Sequence, residues 1–153
     1  MVITWTDELA TGHPEIDADH RILTGIIARL GTIIGTGEHE EIGDILCELT
    51  EYVTIHFSRE EFMMQAVRYP DTEAHQLAHY EFFGNLSTFV FHYETGEVGL
   101  CQEILKYLSQ WLLDHEAKED KFLVNFWRAA QETAIGITVQ ESRLGCRPNP
   151  PGE

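Results

Sequence analysis

Histidine occupies the same helical stripes as the hydrocarbon, and it does so four times along the chain. The first stripe carries His20, Leu23, Ile27, Leu30 and Ile34; the second carries Ile45, Leu49, Tyr52, His56, Glu60 and Met63. The third carries His75, His79, Phe82, Leu86, Phe89 and Tyr93; the fourth carries Ile104, Leu108, Trp111, His115, Phe122 and Phe126. Steps of three and four place these residues on one face of an α-helix. Each helix therefore turns imidazole toward the side it must bury, and a buried imidazole needs a partner. The fold has to bring these polar exceptions together.

The breaks between stripes are short: Gly35-Thr36-Gly37, Arg68-Tyr69-Pro70-Asp71 and Gly96-Glu97-Val98-Gly99. Glycine stops helices, and Pro70 with Asp71 signals a helix start. Short loops between four long helices make neighbours antiparallel. The expected fold class is all-α, an up-down-up-down four-helix bundle, with residues 1–17, including Trp5, as an extended arm against it. Residues 1–133 are read as the bundle with its arm. From about Gly136 periodicity fades and proline enters, so 134–153 is read as a flexible tail or linker.

At 153 residues and 43% hydrophobic, the chain has the length for one domain with a real core. Its net charge of −16 repels nucleic acid and anionic lipid, so neither is an expected partner. The cysteines, Cys47, Cys101 and Cys146, form no C-x-x-C pair, which fits a reduced, cytoplasmic setting. No apolar run approaches the roughly 18 residues of a membrane span, and the acidic N-terminus does not read as a signal peptide.

His56 and Glu60 are four apart, as are His75 and His79, so each pair projects from one helix face about 6 Å apart along the axis. His20 adds a nitrogen from the first helix; His115 and Asp120 add a nitrogen and a carboxylate from the fourth. Seven donors exceed what one tetrahedral zinc takes and suit two ions of larger coordination number, with carboxylates and a solvent oxygen between them. A pair of irons is the natural occupant. The chain contains no Glu-x-x-His, which disfavours a ferritin-type carboxylate-rich site.

The order Trp5, Asp17-x-x-His20, His56-Phe57-x-x-Glu60-Glu61, Tyr69-Pro70, His75-x-x-x-His79 and Trp111-Leu112-x-x-His115-x-x-x-x-Asp120 resembles bacterial hemerythrin over roughly residues 3–127. The resemblance implies a non-haem diiron centre with an oxo or hydroxo bridge that binds dioxygen reversibly. His75, His79 and His115 would hold one iron, and His20 and His56 the other. Glu60 and Asp120 would bridge them. Dioxygen would enter at the two-histidine iron, walled by Leu23, Phe57, Trp111 and Leu112.

The other histidines, His13, His39 and His92, read as surface or loop residues. Asp17 reads either as a carboxylate orienting His20 or as a helix cap, and Glu61 as solvated or ion-paired. Met63 and Met64 read as packing. Glu116 is the departure from the resemblance, since family members usually carry an aliphatic residue directly after this histidine. It either turns to solvent or stands near the open site, as an extra iron ligand or as an acid. Oxygen binding, delivery or sensing is the expected function. The alternatives are a peroxidase-like enzyme using Glu116, an oxygen-sensing input module whose tail leads to an output domain, and a structural zinc site.

Overall fold

The computed structural model describes residues 3–36 and 38–145, with side chains as far as Gly136. Five α-helices and one π segment follow a short 3-10 turn at Asp7–Leu9: α1 (Pro14–Ile33), α2 (His39–Val67), α3 (Thr72–Glu94), α4 (Val98–His115), the π segment Glu116–Asp120, and α5 (Lys121–Gly145). No strand occurs among the described residues. From α4 to α5 the backbone stays right-handed helical through Glu116 and Lys121, so the two form one rod with a π turn inside it. The molecule is the expected antiparallel bundle, in which α1 packs on α2 and α4, and α3 on α2 and α4.

Its core runs between all four helices and includes Leu23, Leu30, Leu49, Val53, Phe82, Phe89, Leu108 and Leu112, each at most 1% exposed. Each such side chain contributes roughly 1.5–3 kcal/mol on burial. The stripes expected for the first three helices are the faces that pack inward. The fourth stripe holds only as far as His115. Phe122 and Phe126 are 55% and 38% exposed, while Leu123 and Val124 are buried. The π segment accounts for this, because its wider turn advances every later residue around the helix.

The arm is shorter than 1–17. Helix α1 begins at Pro14, with His13 as its N-cap, whose Nδ1 accepts from the Ile16 amide at 3.5 Å. His13 also meets the Trp127 ring edge-on, so it is a structural residue and not a loose surface one. Asp17 performs neither expected role: it accepts from the Thr11 amide and hydroxyl, both at 2.7 Å, and from the Gly12 amide at 3.1 Å, tying the arm to the helix. Gly12 lies at φ +86°, a turn that L-residues rarely adopt. Trp5 lies under the Arg21 guanidinium, and Ile3 joins the main core.

Helix α1 ends before Gly35 at φ +90°, and α3 before Gly96 at φ +80°. Helix α2 stops instead on a left-handed Arg68, with the Tyr69 amide bonded back to the Met64 carbonyl. At the other end, α5 continues to Gly145, beyond the point where apolar periodicity fades. Residues 146–153 of the expected tail, Cys146 among them, lie outside the described residues.

Candidate metal centre

His20 near the start of α1, His56 and Glu60 toward the end of α2, His75 and His79 in the first turns of α3, and His115 at the end of α4 lie at one end of the bundle. Asp120 completes the set. In an ordinary α-helix residues five apart face different directions; the π turn brings Asp120 onto the face of His115. All seven are at most 5% exposed.

The carboxylates divide their oxygens between two groups of imidazoles. Glu60 Oε2 lies 3.3 Å from His75 Nε2 and 3.1 Å from His79 Nε2, while its Oε1 lies 3.6 Å from His56 Nε2. Asp120 Oδ1 lies 3.3 Å from His75 Nε2 and 3.0 Å from His115 Nε2, while its Oδ2 lies 3.0 Å from His20 Nε2. One subsite thus gathers three nitrogens and two oxygens, and the adjacent one gathers two nitrogens and two oxygens.

These approaches are close, yet most are not aligned as hydrogen bonds. His20 Nε2, His56 Nε2, His79 Nε2, Glu60 Oε1 and both Asp120 oxygens are buried without an aligned hydrogen-bond partner. Lone pairs that converge without pairing aim at a common point. For an ion bonded at about 2.1 Å, donors at right angles stand about 3 Å apart, which is the spacing seen. Left unsatisfied, such groups cost roughly 1–3 kcal/mol each.

The electrostatics of the metal-free cluster follow from this crowding. Burial and neighbouring Asp120 push the Glu60 carboxyl up, but His56, His75 and His79 outweigh them and hold it at about 2. Asp120 is held well below the usual carboxylate range, burial being outweighed by His115, His20 and His75. Burial lowers His20 and His75, but the carboxylates Asp120 and Glu60 raise them to about 9 and about 10. His79 ends below its ordinary value, because burial prevails over Glu60.

Two carboxylates stand behind the cluster: Asp19, which the sequence does not single out, and Glu61, which it reads as solvated or ion-paired. Asp19 Oδ2 lies 3.4 Å from His56 Nδ1 and accepts from Arg59 Nε at 2.9 Å. Glu61 Oε1 lies 3.4 Å from His79 Nδ1, within hydrogen-bond reach, and its Oε2 accepts from Gln76. The only sequence signals are position beside a donor, Asp19 before His20 and Glu61 after Glu60. Aromatic rings complete the wall: Phe57 stacks on His79 at 3.7 Å and Trp111 on His115 at 4.3 Å. Leu23 and Leu112 are buried in the adjoining core. His39 and His92 lie elsewhere, stacked on Tyr93 and paired with Glu97 respectively. Glu116 does not turn to solvent; it is 0% exposed.

Residues 11–127 match the family model described as the hemerythrin HHE cation binding domain. The chain belongs to the hemerythrin family. Its relatives include a bacteriohemerythrin of Methylococcus capsulatus, 31% identical over 121 residues, covering 78% of this chain and 92% of the relative. A bacteriohemerythrin of Pseudomonas aeruginosa is 32% identical over 133 residues, 87% of this chain and 86% of the other. Among solved structures, a wild-type hemerythrin superposes with a TM-score of 0.74 at 30% identity, covering 83% of this chain and 98% of that one. The hemerythrin match covers the seven convergent residues and all four helices of the bundle.

Proposed function

We propose that this chain holds two non-haem iron ions and binds dioxygen at the ion served by His20 and His56. The observation that carries the reading is the split of the Glu60 and Asp120 oxygens between a three-imidazole and a two-imidazole subsite. His75, His79 and His115 would hold the first ion, His20 and His56 the second, with both carboxylates bridging. The pair would supply reversible redox capacity for dioxygen, and the subsite with fewer of the seven donors is the one an external ligand would reach.

The chain's own residues prepare this chemistry. Asp19 and Glu61 orient His56 and His79 from behind, fixing the ring nitrogen that faces the site. Leu23, Phe57, Trp111 and Leu112 exclude water around it. A role in oxygen binding, delivery or sensing in the cytoplasm follows from this reading. The charge of −16 argues against nucleic-acid partners, and no helix among the described residues is long and apolar enough to cross a membrane.

Anaerobic reconstitution with ferrous iron, followed by exposure to air, tests the proposal. The expected result is two irons per chain and a visible charge-transfer band that forms in air and disappears under vacuum. A chain that takes up zinc and excludes iron, or two irons with no response to air, overturns it.

A further inference from the structure

Glu116 stands outside the seven convergent residues, yet it is fully enclosed and both of its carboxylate oxygens lack a hydrogen-bond partner. It opens the π segment that ends at Asp120, one residue beyond His115. The wider π turn sets Glu116 and Asp120 on the inward side of the rod, and both are buried. An unpartnered buried carboxyl is among the costlier features a fold can retain. The charges that act on it are those of His20 most strongly, then Asp120 and Glu60 of the site, and then Asp17, which holds the arm. Without metal, burial pushes the Glu116 carboxyl up to about 8, against the pull of His20.

The site is also asymmetric. The subsite of His75, His79 and His115 has five protein donors, whereas that of His20 and His56 has four. The residue with unused oxygens opens the π turn that carries Asp120, whose Oδ2 serves the subsite that is one donor short, and His20 of that subsite is the site charge that acts on it most strongly. We propose that Glu116 is an eighth protein donor, placing a carboxylate oxygen on the ion held by His20 and His56, so that an external ligand binds there only by displacing it. This rests on the two-iron reading above. It makes Glu116 a built-in competitor at the open position. Small ligands then bind more weakly than the other seven residues alone would allow.

The test compares the full chain with Glu116→Leu and Glu116→Gln. Azide affinity is measured on the oxidised iron-loaded protein and nitric oxide affinity on the reduced one, together with thermal unfolding of metal-free and iron-loaded forms. The expected result is at least a tenfold gain in affinity for both ligands in Glu116→Leu, with Glu116→Gln between it and the parent. The metal-free leucine variant melts above the parent, because a stranded acid is gone, while the rise in melting temperature on iron loading shrinks. A gain for azide but not for uncharged nitric oxide shows a charge effect alone and overturns the donor role. Unchanged affinity for both, or an undiminished rise on loading, overturns it too, while two irons in every variant leave the two-iron reading standing. If the parent itself fails to hold two irons, the two-iron reading falls first and this inference with it.

Discussion

Asp19 and Glu61 show how much of a metal site lies behind its donors. A ring nitrogen faces the cluster with its lone pair only if the other nitrogen keeps its proton, and a carboxylate at that nitrogen favours this tautomer. Asp19 is itself held by Arg59, whose Nη1 reaches Glu15 at 3.0 Å. Replacing Asp19 by Asn is expected to weaken metal binding by about 10- to 100-fold, measured by competition with a chelator, while the far-UV circular dichroism stays unchanged. Parent-like affinity would show that His56 needs no partner behind it. The donors themselves are readable from spacing, because the second and third helices each repeat a donor after four residues. The supporting carboxylates are not, since position beside a donor is all that distinguishes Asp19 from an ordinary exposed acid on α1.

The π segment decides more than any other element. It places Asp120 beside His115, turns Glu116 inward, and moves the apolar face of α5 from Phe122 and Phe126 to Leu123 and Val124. Deleting Ala117 restores the ordinary helical count and rotates everything beyond by about 100°. Asp120 then leaves the cluster. Bound metal is expected to fall from two ions per chain to one or fewer, by elemental analysis, with the helical circular dichroism largely retained. An Asp120→Asn variant serves as the control with an intact π turn and an altered donor. Two ions retained in the deletion would show that the π turn does not position the site. The five-residue gap from His115 to Asp120 was the visible signal in the sequence, but the exposed Phe122 shows that an unbroken helical count carried past it gives the wrong face.

For the whole molecule, metal and fold are linked. The cluster gathers imidazoles and carboxylates from all four helices into one buried volume, so ions held there would bind the native state and not the unfolded chain. Removing them with a chelator is expected to lower stability by about 4 kcal/mol for each ion, relative to protein with free metal at a thousandfold excess over the dissociation constant. For a chain of this size that is about 2–4 °C of melting temperature per kcal/mol. The pH dependence has a definite sign. With metal absent His20 titrates at about 9 and His75 at about 10, so both are protonated at pH 7. A metal must displace those protons, and affinity is expected to rise by up to about tenfold per pH unit for each proton released, levelling off near pH 9–10. Calorimetry in buffers of different ionisation enthalpy measures the release; a pH-independent affinity would contradict it.

By itself the amino-acid sequence determined which faces of the first three helices are buried, that the chain is an antiparallel bundle, and which seven residues meet. Those features depend on local periodicity and on short loops, and both are written in neighbouring residues. Only the tertiary structure decided that Glu116 is shut inside, that Asp17 ties down the arm, that Asp19 and Glu61 stand behind His56 and His79, and that α5 presents a rotated face. Each of these depends on what lies opposite a residue in space. A single π turn or a neighbouring helix changes that without leaving any periodic trace.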